Sequence, residues 1–148
     1  MLNMSINVSC PHCNVTNRLP ESRLADNPSC GKCKLSIFTG KPIALTSANF
    51  ARQVTSNELP VLVDCWASWC GPCVQFAPIF DAAATQFEPN IRLLKLDTEA
   101  EQNIAAKWSI RSIPTLILLR AGKEIARTSG VMPIGQLKQW LQQHDVQL

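Results

Sequence analysis

The chain has 148 residues, 46% of them hydrophobic and 17% charged, so it can build a packed domain with a small module beside it and is too apolar for global disorder. Its formal charge of +3 lies wholly in residues 1–41, where Arg18, Arg23, Lys32, Lys34 and Lys41 face Glu21 and Asp26; residues 42–148 are balanced. The opening residues lack a basic stretch followed by an apolar one, and the longest apolar runs, such as 114–119, are too short for a bilayer, so a cytoplasmic protein without membrane contact is expected.

Residues 1–40 show weak apolar periodicity and many Asn, Ser, Pro and Gly residues. A unit of that length needs a metal or disulfides to hold it. The turn signal TGKP at 39–42 suggests a boundary, giving a module over 1–41 and a domain over 42–148. The domain opens with a short strand at 43–45. A helix is predicted over 47–56, capped by Thr46 or Ser47, with Phe50 and Val54 on one face. PVLVDCWA at 60–67 reads as a buried strand. A helix over 71–87 follows, with Val74, Phe76, Ala77, Ile79, Phe80 and Ala83 on a wide apolar face and a kink at Pro78. IRLLKLD at 91–97 is the next strand, 99–108 a helix and PTLILLR at 114–120 a strand. Ala121-Gly122-Lys123 turns it into a hairpin with 124–129. The last helix covers 133–143, with Pro133 in its first turn and Ile134, Leu137, Trp140 and Leu141 on one face. This βαβαβαββα order predicts an α/β layer structure with a mostly parallel sheet and an antiparallel edge.

Seven cysteines are many for a cytosolic chain, where thiols serve metal binding or catalysis rather than structural disulfides. Six of them form three C-x-x-C pairs. Cys70-Gly71-Pro72-Cys73 sits where a buried strand meets a helix. There the orphan N–H groups and the helix dipole favour a thiolate at Cys70, the attacking species in disulfide exchange. Cys73, one turn further in, is placed to resolve the mixed disulfide. A zinc role for this pair needs two further ligands, and Cys65 with a histidine makes an awkward set.

VDCWASWCGPC (63–73), APIFD (77–81), KLDTE (95–99), IRSIPT (110–115) and GVMPIGQLKQWL (130–141) resemble the thioredoxin family in order and spacing. The resemblance covers about 43–148 and implies the thioredoxin fold, a mixed central sheet flanked by helices. It also implies that Asp64 lies beneath the dithiol and assists proton transfer at Cys73, with Lys95 near it. Pro114 matches the family's cis-proline. Trp69, Gly71, Pro72, Ile113, Pro114, Gly130 and Val131 match its flat substrate-docking surface, and Trp66 matches a core tryptophan. Two positions depart from the pattern. Cys65 replaces an apolar, usually aromatic residue and reads as a small buried hydrophobe. Val74 stands where many members carry Lys or Arg, which could alter the Cys70 pKa or partner preference.

Cys10, Cys13, Cys30 and Cys33 fit the two-pair zinc pattern, with sixteen residues between the pairs. Four thiolates close a tetrahedral structural site of zinc-ribbon type, and His12 reads as a neighbour rather than a ligand. Two extra redox pairs are the rival reading, but no buried strand precedes Cys10 and a poor helix follows it. Zinc binding when reduced and zinc release on oxidation stays open between them. Nucleic acid is not expected as a partner: the four-thiolate zinc centre contributes −2, leaving about +1, and Phe38 is the module's one aromatic residue.

With this module the chain resembles the zinc-containing bacterial thioredoxins of the thioredoxin 2 type. That resemblance implies a protein-disulfide reductase acting on oxidised proteins, with an NADPH-dependent thioredoxin reductase as electron donor. No bound flavin or nicotinamide is expected, since there is no G-x-G-x-x-G, and a monomer is expected. The alternative is a redox-switched zinc-binding chaperone or adaptor.

Overall fold

The computed structural model describes residues 4–148, so the first three residues of the module expected over 1–41 lie outside the described residues. The module begins with a hairpin. β1 (Ser5–Ser9) pairs antiparallel with β2 (Thr16–Pro20), Ser9 opposite Thr16 and Ser5 opposite Pro20. A 3₁₀ segment, Glu21–Asp26, ends at Asn27, whose left-handed φ of 53° suits asparagine. An isolated antiparallel bridge between Ser29 and Ser36 closes a second turn.

The remaining strands are β3 (Ile43–Ala44), β4 (Val61–Trp66), β5 (Arg92–Asp97), β6 (Thr115–Arg120) and β7 (Lys123–Ser129). They form one sheet in the order β3-β5-β4-β6-β7. β3, β5 and β4 are mutually parallel, while β6 runs antiparallel to β4 and β7 antiparallel to β6. The sheet is therefore mixed rather than mostly parallel. Strand–helix alternation does not encode the direction of β6. That direction follows from which end of the sheet the 108–114 loop reaches. The β6–β7 turn has φ of 50° at Ala121 and 80° at Gly122, the left-handed pair a tight hairpin needs.

Both faces of the central strands β4, β5 and β6 are buried, which is why these read as largely apolar runs, while the edge strand β7 is mostly exposed. Alternation along β4 sends Leu62 to one face and Val61, Val63 and Cys65 to the other. On the Leu62 face, α1 (Gly71–Phe87) supplies Phe76, Phe80, Ala83 and Phe87, and α3 (Ile134–Gln143) supplies Leu137 and Leu141. The opposite face collects Leu94, Leu96, Ile117, Val54 and Ile104. Its rim is closed by Phe50 and Trp108, ring centroids 5.5 Å apart. Among the described residues no helix is long and apolar enough to cross a membrane.

Three elements differ from expectation. The segment predicted as a helix over 47–56 winds as a π-helix, Ala51–Thr55, after a turn in which the Thr46 hydroxyl accepts from Asn49 N–H. The helix predicted over 99–108 is reduced to α2 (Gln102–Lys107), because Asp97 Oδ1 accepts from the N–H groups of Glu99 and Ala100 and forms a turn instead. Val74, placed on the apolar face of α1, is 60% exposed. The buried stripe runs through Cys73, Phe76, Phe80, Ala83, Ala84 and Phe87, and Val74 falls outside it.

The module packs tightly on the domain. Its small core of Val8, Cys10, Cys30 and Ile37 includes Leu59, which precedes β4. The fully buried Arg92 at the start of β5 donates to Ser9 O at 2.9 Å and Ile37 O at 3.2 Å. Its guanidinium lies 3.7 Å from Glu88 and 5.3 Å from the Phe38 ring centroid. Gly40 N–H donates to Glu88 Oε1 at 2.7 Å, and the Thr85 hydroxyl donates to Gly40 O at 2.9 Å.

Candidate functional site

β4 delivers the chain to Cys70, which caps the N-terminus of α1 in extended geometry, φ −86° and ψ 109°. Cys70 Sγ accepts the Cys73 N–H at 3.2 Å. That donor is an otherwise orphaned helix N–H, so charge on Cys70 sulfur is favoured where exchange needs it. Pro72 lies in the first turn, where its missing N–H costs nothing. Cys70 and Cys73 are joined by a disulfide with Cα atoms 5.2 Å apart. Both are nearly covered, 5% and 3% exposed, in a cluster with Ala67, Trp66 and Ile113.

Ile113 and Pro114 close over this disulfide. The Ile113 carbonyl is 3.8 Å from Cys70 Sγ, and the Ile113–Pro114 peptide is cis. Gly130, at φ 94°, donates its N–H to Pro114 O at 3.0 Å, which brings Val131 alongside. Trp69 is 71% exposed beside the pair, and Val131 is also exposed. A groove of about 510 Å³ starts here, lined by Trp69, Thr98, Gln102, Ile110, Arg111 and Ile113 among others.

Beneath the sheet-to-helix junction lies Asp64. Two positions beyond Leu62, it faces the α1 side of the sheet. It is fully buried and neither carboxylate oxygen has a hydrogen-bond partner. Desolvation raises its pKa from 3.8 to about 7, opposed by the charge of Lys95 and reinforced by that of Asp81. Lys95 pairs with Asp64 across β4 and β5, and its ammonium lies 5.0 Å over the Trp66 ring.

At the other end of the molecule four sulfurs converge. Those of Cys10, Cys13, Cys30 and Cys33 lie within 4.8 Å of one another and form no disulfide. Cys10 and Cys33 are 3.6 Å apart and Cys13 and Cys30 3.7 Å. A zinc–thiolate tetrahedron with bonds of about 2.3 Å has edges of about 3.8 Å, so the donor set fits that ion. The two knuckles match bond for bond. Cys10 N–H donates to Val15 O and Asn14 N–H to Cys10 O; Cys30 N–H donates to Leu35 O and Lys34 N–H to Cys30 O. Asn14 and Lys34 both turn through left-handed φ, 64° and 68°. Further N–H groups point at the sulfurs, His12 to Cys10 at 3.3 Å and Lys32 to Cys30 at 3.4 Å. The His12 ring is turned away, Nε2 lying 3.0 Å from Ser36 O.

The thioredoxin family model matches residues 41–143, which is most of the chain. The chain belongs to the thioredoxin family. A second family model, described as the N-terminal part of thioredoxin 2, matches residues 9–34 and so spans all four clustered cysteines. Among known proteins the chain is 43% identical to Thioredoxin C-3 of Corynebacterium nephridii, over 92% of this chain and 93% of that one. It is 41% identical to a thioredoxin of Porphyra purpurea, over 68% of this chain and 94% of that one, and 36% identical to a thioredoxin of Haemophilus influenzae with the same coverage.

The thioredoxin reading and the zinc-ribbon reading of the sequence thus agree with the fold, and the four-cysteine cluster is a donor set that could hold a metal ion. As a thioredoxin the protein is a thiol–disulfide oxidoreductase, with its C-x-x-C disulfide at Cys70 and Cys73. Membership brings protein disulfides as a substrate class and a reductase as electron donor in general. Cys70, Cys73, Trp69, Gly71, Pro72, Ile113, Pro114, Gly130 and Val131 fall in one region, and Asp64 and Lys95 on the α1 side of the sheet. Sequence reasoning missed Gln53 and Asn17, which bond to the two knuckles, and Arg92, which bonds to Ser9 O before the first knuckle and Ile37 O after the second. A polar glutamine in an apolar helical face and an arginine opening a buried strand were the available signals.

Proposed function

We propose that the chain reduces protein disulfides in the cytoplasm, with Cys70 as nucleophile and Cys73 as resolving thiol. The Cys70 thiolate attacks one substrate sulfur, the substrate S–S bond breaks, and one substrate thiolate leaves. Cys73 gives up its proton and attacks Cys70 Sγ, releasing the second substrate thiolate and leaving the Cys70–Cys73 disulfide. Two electrons pass to the substrate, and a reductase returns them. The observation that carries this reading is the disulfide at the N-terminus of α1, with Cys73 N–H on Cys70 sulfur and the Ile113 carbonyl beside it. Asp64 accepts the Cys73 proton: a carboxyl with a pKa of about 7 exchanges protons at neutral pH. Lys95 adjusts that carboxyl through its charge. Trp69, Gly71, Pro72, Ile113, Pro114, Gly130 and Val131 form the surface that docks substrate, with the exposed Trp69 and Val131 beside a covered disulfide.

Residues 1–41 form the metal module and 42–148 the catalytic domain. One Zn²⁺ per chain is held by Cys10, Cys13, Cys30 and Cys33 in a closed structural site that supplies folding energy and no step of the exchange. The protein works as a monomer without bound flavin or nicotinamide, and without nucleic acid or membrane as partner. The test is NADPH consumption through a thioredoxin reductase with a protein disulfide as final acceptor. Cys70→Ser is expected to abolish turnover. A variant with all four module cysteines changed to serine is expected to keep the exchange chemistry and lose metal. Full turnover in Cys70→Ser would overturn the reading.

A further inference from the structure

We infer that the metal centre is completed from outside its own module, by Gln53 and Arg92 of the catalytic domain, and that zinc affinity depends on both. The inference rests on the zinc reading above.

The two knuckles have the same internal bonds, yet they are held from different places. The second is positioned from within the module: Asn17 Oδ1 accepts Gly31 N–H at 2.9 Å, and Asn17 Nδ2 reaches Cys30 Sγ at 3.5 Å. The first is gripped from the catalytic domain. Gln53 Nε2 donates to Cys10 O and to Asn14 Oδ1, both at 2.9 Å. The Cys10 carbonyl therefore accepts twice, from Gln53 and from the Asn14 N–H that closes the knuckle. One residue earlier, Ser9 is fixed on both sides, its carbonyl by Arg92 Nη2 at 2.9 Å and its hydroxyl by the Arg52 carbonyl. Arg92 Nη1 also ties down Ile37 O beyond the second knuckle.

Gln53 and Arg92 are both completely buried. A buried guanidinium needs compensating negative charge. Its ion-pair partner is Glu88 at 3.7 Å. Four thiolates around a divalent ion carry a net −2, so loading the site adds charge that Arg92 complements. Partners behind the first ligands hold them in coordination geometry, and losing one such partner typically costs 10–100-fold in metal affinity. The π-helix at Ala51–Thr55, which carries Gln53, then has a role: it presents a donor to the knuckle of another module.

The experiment uses the full reduced chain loaded with Zn²⁺ and titrated with a chromophoric chelator. The variants are Gln53→Met, which keeps volume and removes the donors, Arg92→Met, and Arg92→Lys. Gln53→Met and Arg92→Met are each expected to bind Zn²⁺ about 10–100-fold more weakly than wild type. Arg92→Lys, which retains the charge on a single donor nitrogen in place of the guanidinium fork, should fall between. The Co²⁺-loaded variants should keep the tetrahedral thiolate spectrum, and disulfide turnover reports that the catalytic domain remains folded. If Arg92→Met fails to fold, Gln53→Met decides. Wild type that holds one Zn²⁺, with variants matching it within twofold, overturns this inference alone. Wild type that holds no Zn²⁺ overturns the zinc reading and this inference with it.

Discussion

Asp64 and Lys95 face each other across β4 and β5, yet the Lys95 ammonium lies over the Trp66 ring and both Asp64 oxygens are buried without a hydrogen-bond partner. A cation nearby lowers the carboxyl pKa, but desolvation outweighs it and leaves the value at about 7.

That balance has a sign for stability. The folded state holds the Asp64 proton more tightly than the unfolded chain, whose reference value is 3.8. Below about pH 4 the group is neutral in both states and costs nothing. As pH rises from about 4 to about 7 the unfolded chain ionises first, and stability falls. Above about 7 the full penalty is present, of order 4 kcal/mol for that difference in pKa. Asp64→Asn is therefore expected to raise the urea midpoint at pH 8 and to change it little at pH 4. The same variant should slow disulfide turnover at neutral pH, since the proton acceptor proposed for Cys73 is lost. Equal effects of the variant on the midpoint at both pH values would contradict the assignment.

The two active cysteines should fail differently. In the proposed exchange Cys70→Ser removes the attacking sulfur, and turnover should drop to background. Cys73→Ser leaves attack intact and removes resolution, so a covalent mixed disulfide with substrate should accumulate. Mass spectrometry under non-reducing conditions reads it directly, as a substrate-sized adduct on Cys70 that dithiothreitol releases.

What could be read from sequence follows the range of the interaction. Cys70 and Cys73 are legible because strand, helix start and both thiols lie within a dozen residues. The four clustered cysteines are legible because knuckle spacing is local. Gln53 and Arg92 are not, since their bonds to Cys10 and Ser9 span 43 and 83 residues. Val74 shows the limit of periodicity: an apolar side chain near a helix start was assigned to the core, but it lies outside the buried stripe. The direction of β6 likewise depends on the path of a loop, which has no periodic signature.

Cys65 lies on the opposite face of β4 from Asp64, packed among apolar side chains and fully buried. Desolvation, with Asp64 adding to it, pushes its thiol up to about 12, so the thiolate is scarce at neutral pH. In the reduced native chain iodoacetamide should label Cys70 first and leave Cys65 unmodified. Labelling of Cys65 should appear only with denaturant, and peptide mapping distinguishes the two. Cys65→Val should cost less than about 1.5 kcal/mol, as expected where size and apolar character are kept.

Leu59 tests whether module and domain unfold together. It lies just before β4, within the residues the thioredoxin family model matches, yet its buried side chain completes the cluster of Val8, Cys10, Cys30 and Ile37. Shortening it to alanine opens a cavity in a core too small to collapse around it, a change that typically costs about 2–5 kcal/mol. The cavity lies against Cys10 and Cys30, so with the zinc proposed above in place Leu59→Ala should also hasten its loss to a chelator. Wild type is expected to unfold in urea in one transition, seen alike by near-UV signals from Trp66 and Trp69 and by zinc release. Leu59→Ala should lower that midpoint, and zinc release should come at lower urea than the tryptophan change. If wild type itself loses zinc well before the tryptophan signals move, the shared core does not couple the two units, and Leu59→Ala would then shift only the first step.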